Sequence, residues 1–151
     1  MNYNTILKIV REKYNLTQEG IADILKIDRR TYNHYETKEK IIPIKHLIVL
    51  SMYFNVSVDY LLGFTKQKQY DHVKEADKII AGNRLKEFRK ENKLTQEKLA
   101  SILNTVHPVI SNYENGKFLI ATPFLYTICK KYNISADYLL GKIDNPKYLN
   151  S

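Results

Sequence analysis

Along residues 5–62, apolar side chains recur at helical intervals, in short runs divided by polar breaks. Ile6, Leu7 and Val10 stripe a predicted first helix from about Thr5 to Tyr14. Lys8, Arg11, Glu12 and Lys13 are expected to face water. Asn15 ends that helix. Thr17 suits the N-cap of a second, with Gln18 and Glu19 in its first turn, where a carboxylate favours the helix dipole. Ile21, Ala22 and Leu25 form its inner face, and Lys26-Ile27 makes the turn. Asp28 caps a third helix through about Glu36, with Ile27 and Tyr32 pointing inward. Residues 37–43 read as a charged loop. Pro43 opens a fourth helix, Ile44 to Phe54, whose apolar members are Leu47, Leu50, Met52 and Phe54. Ser57 caps a short fifth helix holding Tyr60, Leu61 and Leu62, which Gly63 stops.

The same plan returns further along. Leu16-Thr17-Gln18-Glu19, Tyr35-Glu36 and Asp59-Tyr60-Leu61-Leu62-Gly63 recur as Leu94-Thr95-Gln96-Glu97, Tyr113-Glu114 and Asp137-Tyr138-Leu139-Leu140-Gly141. The offset is 78 residues throughout, and 21 of the 59 positions from Thr5 to Gly63 are identical in the second copy. That is an internal repeat, too short for a solenoid, and it predicts two copies of one small domain. In the second copy Leu85 and Phe88 pack, Thr95 caps, and Leu99, Ala100 and Leu103 face inward. Pro108 falls in the first turn of the third helix, where its missing N–H does no harm.

Between the copies, Tyr70, Val73, Ala76 and Ile80 fall at helical spacing. The pattern predicts a stiff helical linker from about Asp71 into the second copy, with Gly82 as its weak point. The resulting divisions are 1–63, a linker 64–79, 80–141, and a tail 142–151 that contains Pro146 and is expected to fray. The fold class is all-α, with five helices in each copy.

Composition narrows the partners. The chain has 151 residues, 44% hydrophobic and 26% charged, as in a globular protein. The apolar run around Ile41 to Leu50 holds Pro43, Lys45 and His46 and is too short for a membrane span. Met1-Asn2-Tyr3-Asn4 begins no secretory signal pattern. The single cysteine, Cys129, excludes an intramolecular disulfide, fits a reducing cytoplasm, and sits on the apolar side of a helix. Net charge is +8, which favours a polyanion. It is spread as +2 over 1–63, +1 over 64–79, +4 over 80–141 and +1 over the tail, so contact with nucleic acid depends on placement rather than bulk attraction. His34, His46, His72 and His107 lack zinc-ligand spacing, and no phosphate-binding glycine loop or nucleophile elbow is present. No cofactor, metal or enzymatic activity is expected. Asp59 and Asp137 sit in first helical turns, where dipole stabilisation accounts for them. Glu36 and Glu114 read as structural, since a carboxylate facing phosphates is unfavourable.

Two short helices joined by a tight turn, the second capped and rich in short polar groups, read as helix-turn-helix. The second helix of such a pair fits a B-DNA major groove about 12 Å wide. The first crosses the backbone and offers free N–H groups to a phosphate. With Ala22, Leu25, Arg29, Thr31 and residues 56–63, and their counterparts Ala100, Leu103, Ile110, Ser111 and residues 134–141, the motifs above resemble a known family. It is that of the Cro/C1-type, xenobiotic-response-element-like repressors, with a five-helix lambda-repressor-like domain in each copy. The resemblance implies sequence-specific binding of double-stranded DNA, commonly as a two-fold dimer, in transcriptional control. The chain would then be cytoplasmic, on the nucleoid when bound.

Carried over by position, Thr17 and Gln18 open the backbone-crossing helix as phosphate contacts, and Thr95 and Gln96 repeat them. Arg29, Arg30, Asn33 and His34 take the groove-facing side of the first recognition helix, about 28–36. An arginine there can bond guanine and an asparagine adenine, at roughly 1–3 kcal/mol of discrimination each. Thr31 and Lys38 are phosphate candidates. In the second recognition helix, about 106–114, the same places hold His107, Pro108, Ser111 and Asn112, with Lys117 as the phosphate candidate. The family's turn glycine is replaced by Lys26 and Asn104; asparagine tolerates positive φ, lysine poorly. Gly20 stands mid-helix, and Val106 stands where a capping Ser or Asp is expected. Two arrangements stay open. Either both recognition helices enter successive major grooves about 34 Å apart, or only the first reads DNA and the second copy mediates dimerisation. A homodimer through the fourth and fifth helices or the linker is the protein partner implied. The rival class is a protein-interaction module or antitoxin-type adaptor that no longer reads DNA.

Overall fold

The computed structural model describes residues 3–145, which form ten helices. They divide into two compact units between Gln69 and Tyr70. The first unit contains α1 (Tyr3–Lys13), α2 (Gln18–Leu25), α3 (Arg29–Thr37), α4 (Ile44–Phe54) and α5 (Val58–Leu61). The second contains α6 (Lys78–Glu91), α7 (Gln96–Ile102), α8 (His107–Glu114), α9 (Thr122–Tyr132) and α10 (Ala136–Leu139). Among the described residues no helix is long and apolar enough to cross a membrane.

Each unit closes around one core. Leu7 and Val10 of α1, Ile21 of α2, Tyr32 of α3, Leu47 and Leu50 of α4 are all at most 2% exposed. Leu85, at 3%, and the fully buried Leu99, Ile110, Leu125 and Ile128 form the core of the second unit. The short capped helices follow from the sequence. Thr17, Asp28, Ser57, Asp77, Thr95 and Ser135 each sit extended and accept a backbone N–H of the helix they open, satisfying a donor that has no intrahelical partner. Cys129 is buried.

Five expectations are corrected. Met52 points out of the core, 61% exposed, and Ile27 is only half-buried. The helix predicted from Asp71 does not form: residues 64–77 hold turns and irregular chain, and α6 begins at Lys78. The reason is competition for backbone groups. Lys74 N donates to Lys142 O at 2.7 Å and Asp77 N to Leu140 O at 3.0 Å, while Asp77 Oδ1 caps α6 through Ile79 N and Ile80 N. The spacing of Val73 and Ala76 has no core to serve, and Val73 is 52% exposed. The beginning of the tail is also ordered. Lys142 and Ile143 are buried, and Arg84 donates to the Tyr138 and Ile143 carbonyls while reaching Asp144 at 3.2 Å. Pro146 lies outside the described residues.

Gly82 is not a weak point. A Cβ built on it would lie 2.5 Å from Tyr113 O and 2.7 Å from Glu114 O. The glycine is where α6 crosses the end of α8 at backbone distance. In the first unit that position is Asn4, whose side-chain amide donates to Tyr35 O.

Candidate nucleic-acid interface

The pair α2–α3 is held in place by a turn, a cap and an ion pair, with two buried tyrosines behind them. The turn residue Lys26 adopts φ 58°, ψ 43°, and its N–H bonds back to Ala22 O and Asp23 O. A lysine in that left-handed region is strained by roughly 1–2 kcal/mol; the equivalent Asn104, at φ 56°, tolerates it better. Asp28 caps α3 through Thr31 N at 2.7 Å, and that bond holds its carboxyl below the ordinary value. Tyr32 and Tyr35 then anchor the inner side of α3 in the core, 1% and 4% exposed.

The third device is an ion pair read wrongly from the sequence. Arg11 does not face water. Its guanidinium meets Glu36 at 2.8 and 3.1 Å and also donates to Leu16 O at 2.8 Å, tying α1 to the end of α3 and to the start of α2. The two side chains are 12% and 3% exposed. Burial pushes the Glu36 carboxyl up, but bonds from Arg11, Tyr32 and Gln18 outweigh it and leave it below the ordinary value. Arg89 and Glu114 repeat the arrangement at 2.6 and 3.0 Å, with Leu94 O as the third partner. The signal was present: both members recur at the 78-residue offset with the same spacing. Glu36 and Glu114 are thus structural, as the charge argument required.

Around this mount the predicted site residues separate. Arg29 and Arg30 are exposed at the start of α3, and among the described residues neither is held by a hydrogen bond or ion pair. Gln18 stands between α2 and α3: its amide nitrogen lies 3.0 Å from Asn33 Oδ1 and 3.1 Å from Glu36 Oε1. Asn33 and Thr31 are half-buried, and Thr17 is committed to capping α2 through Gly20 N. His34 turns to Glu39, 3.2 Å away, with its other ring nitrogen buried and without a partner among the described residues. Lys38 is exposed in the left-handed region at φ 71°, where the second copy has Gly116.

The second unit keeps the mount and changes the tip. Gln96 is engaged at both ends, with His107 Nε2 at 2.6 Å from its oxygen and its nitrogen 3.1 Å from Glu114. Thr95 caps α7 through Lys98 N. His107 and Pro108 are exposed, Ser111 and Asn112 half-buried, and Lys117 lies over the Phe118 ring, 5.5 Å from its centroid. No charged side chain occupies the first turn of α8.

The fourth helices also differ. Val49, Met52 and Tyr53 lie one turn apart on α4 and are 40%, 61% and 53% exposed. The corresponding residues of α9 are Thr127, Lys130 and Lys131. One copy therefore presents apolar surface where the other, with the same fold, presents polar groups.

Comparison with known proteins agrees with this architecture. A helix-turn-helix family model matches residues 7–61, and a helix-turn-helix domain model matches residues 82–145. The chain is 31% identical over 113 residues to the HTH-type transcriptional regulator YobD of Bacillus subtilis, covering 70% of this chain and 94% of that protein. It is 34% identical over 101 residues to the HTH-type transcriptional regulator YqaE of the same organism, covering 66% and 85%. It is also 36% identical over 69 residues to the antitoxin PezA of Streptococcus pneumoniae, covering 44% of each. No solved structure matches the chain. With two helix-turn-helix units in tandem, the chain belongs to the family of DNA-binding HTH-type transcriptional regulators of the Cro/C1, xenobiotic-response-element class.

Proposed function

We propose that this protein is a sequence-specific repressor that lays α3 in the major groove of double-stranded DNA, acting by occupancy rather than catalysis, on the nucleoid of the cytoplasm. One observation carries the reading: two guanidinium groups, Arg29 and Arg30, unpaired among the described residues, project from the start of a helix held by its cap, its buried tyrosines and the Arg11–Glu36 pair. Rigid placement of bidentate donors is what base reading needs. Arg29 and Arg30 read guanine, Asn33 reads adenine, and Gln18 holds Asn33 in place while the open end of α2 takes a phosphate. Thr17 and Thr31 flank the phosphates, Lys38 adds a cation, and His34 steadies the loop through Glu39. In the second unit Thr95, Gln96 and Lys117 take the backbone roles, and His107, Pro108, Ser111 and Asn112 form a weaker, uncharged head. The preferred site is accordingly asymmetric.

The apolar face of α4 supports homodimerisation through the first unit. Sedimentation should show a dimer that Met52→Lys/Tyr53→Lys, which writes the second copy's residues into the first, converts to monomer. Binding to a duplex selected from a random pool tests the main reading. Arg29→Ala/Arg30→Ala should lower affinity by roughly tenfold or more per lost base contact, while His107→Ala/Asn112→Ala has a smaller effect. Affinity should fall steeply with salt, by a log–log slope near 0.9 for each phosphate contact. A shallow slope with no effect of either double variant sinks the proposal. The second reading, a protein-binding module of antitoxin type, is favoured by the same α4 face and by the likeness to an antitoxin. It requires a protein partner whose binding is lost in Met52→Lys/Tyr53→Lys and untouched by Arg29→Ala/Arg30→Ala.

A further inference from the structure

The tip of α8 carries a feature its own fold does not use. Val106, at the N-cap, is extended at φ −118°, ψ 155°, and gives no side-chain bond to the helix. The equivalent Asp28 makes that bond in the first unit. A branched apolar residue at an N-cap forfeits the cap, and Val106 gains no burial in exchange, since 61% of it is exposed. Two residues on, Pro108 is exposed in the first turn. His107, between them, is drawn aside by its 2.6 Å bond to Gln96. The corresponding tip of α3 holds Asp28, Arg29 and Arg30. Where one recognition helix presents charge, the other presents two apolar side chains beside its free N–H groups.

A major groove displays one apolar group at its base edges, the C5 methyl of thymine. We infer that Val106 and Pro108 form a contact surface for pyrimidine 5-methyl groups, so that the second unit selects thymine-bearing steps while the first reads hydrogen-bonding edges. The inference rests on the DNA-binding reading proposed above. It assigns a role to Val106, which the motif itself would fill with a capping oxygen.

The test uses the full chain and a duplex selected by it from a random pool. Each thymine of the protected region is replaced singly by deoxyuridine, which lacks only the methyl group. At one or two positions affinity should fall about fourfold, the value of one buried carbon. The position facing Val106 should become indifferent to the replacement in Val106→Ala. It should become so again in Val106→Asp, which restores a cap and guards against a fold-loss explanation. It should stay sensitive in Arg29→Ala/Arg30→Ala. If every deoxyuridine duplex binds like the parent, the methyl-reading surface is refuted and DNA binding stands. The same holds if every position keeps its sensitivity in both Val106 variants. If the chain selects no duplex at all, both proposals fall together.

Discussion

Gly82→Ala is the substitution whose outcome the structure determines most sharply. Judged by helix propensity alone it should stabilise α6 by about 1 kcal/mol. The crossing reverses the sign. The new Cβ would stand 2.5 Å from Tyr113 O, 2.7 Å from Glu114 O and 3.0 Å from Glu114 C. Carbon and oxygen pack no closer than about 3.2 Å, and the obstructing atoms are backbone, which cannot rotate away as a side chain can. Either α6 or the end of α8 must retreat by more than half an ångström. Overpacking of this kind costs about 1–3 kcal/mol, and retreat also loosens Arg89 from Glu114, whose bond spans the same two helices. The net expectation is a loss of about 1–2 kcal/mol. For a domain of this size that lowers the melting temperature by roughly 4–16 °C. Gly20→Ala is the internal control. A Cβ there meets nothing nearer than Thr17 Oγ1 at 3.4 Å and Leu16 Cδ2 at 3.5 Å, so the propensity gain of up to about 1 kcal/mol remains. Thermal melts followed by circular dichroism, with hydrogen exchange of the α3 and α8 amides to assign each transition to its unit, measure both. A Gly82→Ala protein that melts at or above the parent temperature would show that the crossing is soft and the argument wrong.

Three further outcomes follow from the mount. Arg11→Ala strands the Glu36 carboxylate, only 3% exposed, and should destabilise the first unit by about 3 kcal/mol, the lower end for a broken buried pair because the guanidinium keeps an exposed edge; urea titration measures it. The Glu36 carboxyl titrates below its ordinary value of 4.5, so its contribution is fully present above that pH and disappears as pH falls through the lower folded value. Acid titration of the first unit should show this loss, and Glu36→Gln should remove that part of the pH dependence. Lys26→Gly relieves a left-handed lysine at the expense of chain entropy and should raise stability by about 0.5 kcal/mol; a fall in melting temperature would contradict the assigned strain.

Period and capping residues made most of the fold legible. Thr17, Asp28, Ser57, Thr95 and Ser135 each open a helix, and the repeat offset gave the second set of boundaries once the first was drawn. What escaped was whatever depends on two elements meeting. Arg11 lies among charged neighbours on an amphipathic helix, and only Glu36, 25 residues away, turns it inward. Periodicity in Val73 and Ala76 said nothing of the backbone partners at Leu140 and Lys142 that keep that stretch from coiling. Gly82 read as a defect because the carbonyls pressed against it come from α8. Within the site, the exposure of Arg29 and Arg30 was readable from position, whereas the tethers on Asn33, His34 and His107 required side-chain geometry.

The arginine–glutamate clamp grips each third helix near its far end and leaves the leading turn outside its reach. Sequence at that turn can therefore drift without loosening the body behind it. The two halves of this chain illustrate such drift, one tip ionic and the other oily on the same chassis. A protein built this way has interchangeable heads: transplanting residues 106–109 onto 28–31 should alter what the first half recognises while leaving it folded.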